Sequence, residues 1–110
     1  MADPIKTVVG DTAPDIRGTI IDLSTNAPVD VSNVSTIVRC HVRKVPDGAV
    51  TTITATKPKG GADGVINVAW TAGIFASAGD YEAEIEITFN TGKVQTVPDK
   101  ILLQAREAIA

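Results

Sequence analysis

The stretch that decides the fold is DYEAEIEITFN, at residues 80–90. Apolar and polar side chains alternate along it, and alternation with a period of two is typical of a β-strand that buries one face. The pattern predicts an inward-facing set made of Tyr81, Ala83, Ile85, Ile87 and Phe89. The outward-facing set then includes Glu82, Glu84 and Glu86. This is the clearest strand of the sequence.

A second run, at residues 36–45, alternates in the same way. One face of the predicted strand carries Val38, Cys40 and Val42, and the other carries Arg39, His41 and Arg43. The apolar face is expected to be buried and the polar face to be open, which describes a half-buried strand.

Five further runs rich in Val, Ile and Thr lie near residues 5–9, 15–23, 50–56, 65–71 and 93–105. The run at 65–71 places Val68 and Trp70 on one side, which assigns both to the predicted core. Short runs separated by Gly, Pro, Asn and Asp are typical of an all-β sandwich or barrel. About seven strands in a chain of this length match an immunoglobulin-like count. The sequence therefore predicts a two-sheet antiparallel immunoglobulin-like sandwich.

Three connections carry expectations of their own. Residues 71–79 lack alternation and are predicted to form a crossover with a helical turn. Pro98 interrupts the last run, which indicates an edge position or a switch between sheets. Residues 57–64 are Gly-rich and basic but lack the pattern of a phosphate-binding loop, so a flexible turn or a contact loop is predicted.

Composition narrows the classes of function. The 110 residues have room for a single domain, which is taken as 1–110. A net charge of −3 argues against nucleic acid as a partner, because phosphates need a clustered basic face. The apolar runs are far shorter than the roughly 20 residues that span a membrane. One cysteine and no recognisable secretory leader suit a reducing cytoplasm or a particle assembled there.

The two residues with reactive side chains have plain structural interpretations. His41 is the only histidine, and its neighbours on the same face are Arg39 and Arg43. Two cations discourage both a bound metal and a protonated imidazole. Cys40 falls on the apolar face, where a thiol behaves as a small hydrophobic group. No catalytic, cofactor-binding or metal site is therefore predicted.

The charged faces of the two alternating strands complement each other. Glu82, Glu84 and Glu86 form an acidic row, and Arg39, His41 and Arg43 form a basic row. The runs at 36–45 and 80–90 are the third and sixth in chain order, and the third and sixth strands of an immunoglobulin-like sandwich often share a sheet. Cross-strand pairing of the two rows is therefore expected. The six residues are a predicted interface surface.

Three short motifs together resemble a known family. They are APVDV at residues 27–31, GDYEAE at 79–84 and GKVQTVP at 92–98. In this order and spacing they resemble the N-terminal domain of the baseplate upper protein family of tailed phages, from about Pro14 to Leu103. The resemblance implies a small immunoglobulin-like module of a virion that works through protein contacts without enzymatic activity. Tyr81 is expected to hydrogen-bond the backbone of the preceding crossover, as the tyrosine corner of such sandwiches does.

Two functions follow as hypotheses. The first is a multi-copy structural module of a tailed-phage virion, in the tail or baseplate, a neck adaptor or a capsid decoration. Its partners would be itself or other virion proteins, with residues 1–9 and 105–110 as contact arms that the central sheets do not need. The alternative is a stand-alone accessory domain that binds carbohydrate or a host surface. A sugar site generally needs exposed aromatic rings, and Trp70, Phe75, Tyr81 and Phe89 are expected to be nearly all in the core.

Overall fold

A computed structural model describes residues 5–10, 15–22, 24–71, 73–98, 100–107 and 109. These residues form ten β-strands and no helix. The strands are β1 (Ile5–Val8), β2 (Ile16–Thr19), β3 (Ile21–Asp22), β4 (Ala27–Pro28), β5 (Ile37–Lys44), β6 (Thr51–Thr54), β7 (Val65–Val68), β8 (Gly79–Thr88), β9 (Val94–Thr96) and β10 (Ile101–Arg106). The all-β prediction is confirmed. The count exceeds the seven predicted runs because the runs at 15–23 and 93–105 each divide into two strands and β4 is added.

The strands form one large sheet and two small ones. The large sheet has the order β1-β10-β8-β5-β6, and β9 also pairs with β8. The small sheets are the antiparallel pairs β2–β7 and β3–β4. In the large sheet β1 runs parallel to β10, whereas every other pair is antiparallel. The purely antiparallel prediction is therefore wrong at this edge.

The pairing of β5 with β8 forms the centre of the large sheet. The two strands run antiparallel in a register that extends from Ile37 opposite Thr88 to Lys44 opposite Tyr81. Both strands alternate with a period of two, so this register puts their apolar side chains on one face and their charged side chains on the other. The two patterns reinforce each other because they meet in phase.

The core lies on the apolar face of this pair. Of the predicted core residues, those buried in the structure are Val38, Val42, Val68, Trp70, Tyr81, Ile85 and Ile87. Phe89 is only half-buried, because β8 ends at Thr88 and the Phe89 N–H donates to the Lys93 carbonyl in the following turn. Side chains of β7 and β8 join one buried cluster, so the small β2–β7 sheet lies across the core from the large sheet.

An aromatic cluster holds the connection between β7 and β8. The rings of Trp70 and Phe75 meet edge to face at 5.3 Å, and Phe75 meets Tyr81 in the same way at 5.1 Å. The Tyr81 hydroxyl donates a hydrogen bond to the Ser77 carbonyl at 2.6 Å, which is the bond to the crossover that the sequence predicts. The helical turn expected at 71–79 is wrong for the described part of this segment, which contains turns and bends but no helix.

The chain stays in the large sheet across the interruption at Pro98. Both β9 and β10 pair with β8, and between them the Val97 N–H donates to the Ile85 carbonyl at 2.8 Å. The chain therefore does not switch between sheets at Pro98. The edge interpretation fits β9, which pairs with β8 alone, but does not fit β10, which lies between β1 and β8.

The two terminal segments do not stand apart from the sheets. Residues 5–8 are β1, and the Val9 N–H donates to the Arg106 carbonyl. Ile5 and Val9 also pack against the core, and Ala105 is buried within β10. The expectation that the sheets do not need these arms is therefore wrong for residues 5–9 and 105–106. Residues 1–4, 108 and 110 lie outside the described part of the chain.

Truncation of Ile87 tests the position of the core. Ile87 is 0% exposed, so Ile87→Ala removes buried methyl groups and leaves a cavity. We expect the free energy of unfolding to fall by about 2–5 kcal/mol, measured by urea denaturation. The matched control is Val34→Ala, because Val34 is 96% exposed, and its effect should stay within about 0.5 kcal/mol. Equal effects of the two substitutions would contradict this core.

Candidate functional site

The candidate site is the outer face of the β5–β8 pair. The register places Arg39 opposite Glu86, His41 opposite Glu84 and Arg43 opposite Glu82. The structure thus brings together all six residues of the predicted interface surface, as two adjacent rows of opposite charge. We call these six residues the charged face, with a basic row on β5 and an acidic row on β8. All six side chains are half-buried.

Glu82 is the best-connected member of the charged face. The Arg43 Nε donates to Glu82 Oε1 at 2.7 Å, and Lys100 Nζ donates to Glu82 Oε2 at 3.3 Å. The Glu82 side chain is 16% exposed, so two cations hold a carboxylate that solvent reaches poorly. The hydrogen bonds from Arg43, and then from Lys100, lower the pKa of Glu82 below its ordinary value.

His41 uses both ring nitrogens within the sheet. Its Nδ1 lies 2.8 Å from the Thr52 hydroxyl on β6, and its Nε2 lies 3.4 Å from Glu86 Oε1 on β8. The tautomer that carries its proton on Nε2 satisfies both neighbours, because Nε2–H donates to the Glu86 carboxylate and Nδ1 accepts from the Thr52 hydroxyl. The ring therefore ties three neighbouring strands together across the outer face.

Arg39 and His41 both contact a residue of β8 that lies two positions beyond the one directly opposite. Arg39 Nη1 donates to the Thr88 hydroxyl at 3.3 Å, two positions beyond its direct partner Glu86. His41 likewise contacts Glu86 instead of its direct partner Glu84. Among the described residues, the Glu84 carboxylate has no ion pair within 4.0 Å. The middle of the acidic row therefore presents a carboxylate that no cation of the described chain neutralises by direct contact.

A shallow depression of about 250 Å³ lies on the charged face. Its lining consists of His41, Val42, Arg43, Val50, Glu82, Ala83, Glu84 and Lys100. Val50 contributes an apolar side chain that is 59% exposed beside this charged lining. The depression combines both signs of charge with an apolar rim, which suits a protein contact better than a small anion or cation.

Two further cavities lie away from the charged face. An apolar one of about 190 Å³ opens between the sheets, with Ile16, Ile66, Ile85 and Ile101 in its lining. A more open one of about 450 Å³ lies along β1, β8 and β10, between Lys6 and Arg106. The lining of the more open cavity includes the charged residues Lys6, Asp80 and Arg106.

Cys40 is part of the core. It is 0% exposed and lies directly opposite the buried Ile85. Burial raises the pKa of the Cys40 thiol to about 11. A thiol with this pKa carries almost no thiolate at neutral pH, which makes it a poor nucleophile and a poor metal ligand.

Sequence reasoning missed Lys100, Thr52 and Val50 as members of this surface. Thr52 and Val50 lie on or beside β6, and their contribution depends on β6 pairing with the free side of β5. Lys100 reaches Glu82 only because β10 pairs with the N-terminal half of β8. These contacts depend on the order of the strands in the sheet, which alternation alone does not specify.

The basic loop at 57–64 is tied to the body of the protein. Lys57 Nζ donates to the carbonyls of Asn33 at 3.1 Å and Thr36 at 2.7 Å. The Val31 N–H donates to the Gly61 carbonyl at 2.9 Å. Lys57 is thus engaged in holding the 31–36 segment, and the interpretation of this loop as a flexible turn fits it poorly.

No group of three or more His, Cys, Asp and Glu side chains in the described part of the chain is placed to hold a metal ion. None of the described segments is a helix long and apolar enough to cross a membrane.

No protein-family model matches this sequence, and no curated protein matches it either.

The pH dependence of stability tests the environment of Glu82. Its lowered pKa means that the folded state favours the ionised carboxylate. This contribution to stability is fully present above the ordinary pKa of 4.5 and is lost as the pH falls through the lower folded value. Glu82→Gln should therefore reduce the free energy of unfolding at neutral pH, and the difference from the parent chain should shrink in acid.

The control for this experiment is Glu84→Gln, which removes the same charge from the same strand and the same face. Glu84 makes no close ion pair with the described residues, so its substitution should change the pH dependence less. Urea denaturation at a series of pH values measures both variants. Identical pH profiles for the two would show that Arg43 and Lys100 do not stabilise the Glu82 carboxylate.

Proposed function

We propose that this chain is a non-enzymatic structural module of a tailed-phage virion, present in many copies and acting through protein–protein contacts. The observation that carries the proposal is the charged face. Its side chains lie in register on one sheet surface, where His41 contacts Glu86 and Arg43 contacts Glu82. Four of the six line a depression that mixes both charges with an exposed apolar side chain. A surface of this composition suits a protein partner.

Within this proposal the fold is an immunoglobulin-like sandwich. In such sandwiches strands B and E share one sheet and strands C, F and G share the other. The pairing of β2 with β7, and of β5, β8 and β10 in the large sheet, supports this assignment. Further support comes from Tyr81, which lies near the start of the proposed F strand and bonds the backbone upstream through its hydroxyl. Unlike antibody domains, the proposed strand F carries Ala83 where the second cysteine would lie.

The assignment to a phage particle rests on the resemblance to the baseplate upper protein family. The motif at 79–84 opens β8, and the motif at 92–98 contains β9 and the Pro98 interruption. Both motifs therefore belong to the strands that form the large sheet. Tail or baseplate, neck adaptor and capsid decoration are all positions in which such a module acts by contact.

The alternative of a carbohydrate-binding accessory domain receives less support. Sugar rings stack on exposed aromatic side chains, whereas Trp70, Phe75 and Tyr81 are buried and engaged with one another. Phe89 is half-buried against the core. The described aromatic rings thus offer little exposed surface for a sugar.

The direct test is to follow the protein in particles released by cells that encode it. We expect it to remain with tailed particles through density-gradient purification and to be found in multiple copies per particle by quantitative mass spectrometry. Particles from cells in which the gene is deleted serve as the control, and their density map should lack a sandwich-sized feature that returns on complementation. Recovery of the protein only in particle-free fractions would contradict the proposal, as would an enzymatic activity abolished by His41→Ala.

A further inference from the structure

The rows of the charged face are arranged symmetrically about a line that runs between β5 and β8. Four neighbouring strands, in the order β6-β5-β8-β10, contribute to the outer surface. The inner two strands, β5 and β8, carry the basic row and the acidic row, and the residues of the two rows lie at matching levels along the strands. A line drawn between β5 and β8, parallel to both, therefore separates the basic row from the acidic row, and Lys100 lies on the acidic side, where it binds Glu82.

The two flanks of the charged face, formed by β10 and by the residue before β6, each carry an apolar side chain. Leu102 on β10 lies opposite Glu82, which lies opposite Arg43. On the other flank Thr51 pairs with Val42, so the preceding residue, Val50, lies at the level of Arg43. Val50 is exposed and lines the same depression as Arg43, while Leu102 is half-buried. One apolar side chain thus lies on each flank, at the same level.

We infer that the charged face binds the same face of a second copy, around a two-fold axis that runs parallel to β5 and β8 and passes between them. This inference rests on the proposed function, since it names the partner of the surface proposed there. A rotation of 180° about this axis places the basic row of each copy over the acidic row of the other. It also places Val50 of each copy over Leu102 of the other.

The charges favour this axis over a two-fold axis that is perpendicular to the strands. An axis in the plane of the interface but perpendicular to the strands would place β5 over β5 and β8 over β8, with like charges facing each other. Like-charge contacts across an interface are costly, and complementary charges fix the orientation of partners more than they add affinity. With the axis parallel to the strands, by contrast, the Glu84 carboxylate of one copy faces His41 of the second copy, between Arg39 and Arg43. No described cation of its own chain contacts this carboxylate directly.

The twist of the sheets is compatible with this contact. Two sheets that pack face to face lie about 10 Å apart and are rotated by about 30°. Residues two positions apart on a strand are separated by about 7 Å, so the rotation displaces the ends of each row by about 3–4 Å. Arginine and glutamate side chains are long enough to span that displacement, and the central His41 and Glu84 are displaced least.

The decisive variant exchanges the two rows. It combines Arg39→Glu, Arg43→Glu, Glu82→Arg and Glu86→Arg with Lys100→Glu, because Lys100 binds Glu82 and would otherwise face a like charge. Opposite charges are then preserved across the β5–β8 pair, and circular dichroism checks that the fold is retained. On its own this variant should form dimers, as the parent chain should. Mixed with the parent chain it should form no mixed dimers, because basic would then face basic and acidic would face acidic. The exchange leaves the mass of the chain almost unchanged, so one of the two chains is uniformly labelled with nitrogen-15, and native mass spectrometry then distinguishes parent, variant and mixed dimers by mass.

Each other outcome overturns the inference. A monomeric parent chain at high protein concentration would show that the face does not self-associate. A statistical mixture of parent, variant and mixed dimers would show that dimers form through another surface. A preference for mixed dimers would indicate the perpendicular axis. The matched control carries Lys59→Glu and Lys93→Glu, two charge reversals at exposed positions outside the charged face, and should mix freely with the parent chain.

A second variant tests the same dimer without altering the rows. Val50→Asp changes an exposed residue outside the core, so folding should be unaffected. The aspartate would face Leu102 of the second copy, where burial leaves its charge unpaired. We expect a loss of about tenfold or more in dimerisation affinity by sedimentation equilibrium, since tenfold needs only about 1.4 kcal/mol. An unchanged dimer would contradict the inference.

The inference and the proposed function can fail separately. A parent chain that is monomeric in solution but present in tailed particles would overturn the self-pairing and leave the virion role standing. A parent chain that forms the dimer but is absent from particles would do the reverse.

Discussion

The antiparallel pairing of β5 with β8 is the contact on which the rest of the structure depends. It is the longest pairing in the protein, and both strands that take part have alternating side chains. Because they meet in phase, one face supplies buried aliphatic groups such as Val38 and Ile87 to the core. The opposite face receives the charges. A slip by one residue would force one of the two strands to turn its charged side chains inward, at a cost of several kcal/mol for each unpaired ion.

A slip of β5 against β8 by two residues would keep the alternation in phase, so other contacts must exclude it. After such a slip Arg43 would still face an acidic residue, either Asp80 or Glu84, so the charge rows discriminate weakly. The N-terminal end of β8 is held more firmly, by the Tyr81 hydroxyl on the Ser77 carbonyl and by the Val45 N–H on the Asp80 carbonyl. The surface ion pairs themselves add little stability. Their main consequence is the charge pattern of the outer face.

The sequence predicted those features that depend on a residue's own neighbours along the chain. The alternation at 36–45 and 80–90 was sufficient to place β5, β8, most of the core and the opposition of the two charge rows. Features that depend on the choice of partner strand were not predicted. Ile5–Val8 can be recognised as a strand, but nothing in its pattern specifies a parallel partner in β10. For the same reason Lys100 was not assigned to Glu82, since that contact needs β10 beside β8. Phe89 continued the alternation in the sequence, but the turn that begins after Thr88 ended it in the structure.

The most direct test of this account is the register between β5 and β8, measured by nuclear Overhauser contacts between backbone protons in solution. Directly opposed residues of an antiparallel pair have Cα atoms about 4.5–5.5 Å apart, which makes their cross-strand contacts distinguishable from those of residues two positions away. The account predicts that His41 lies opposite Glu84, with Arg43 opposite Glu82 and Cys40 opposite Ile85. Contacts that place His41 opposite Glu82 or Glu86 would contradict it, because the basic and acidic rows would then no longer lie at matching levels.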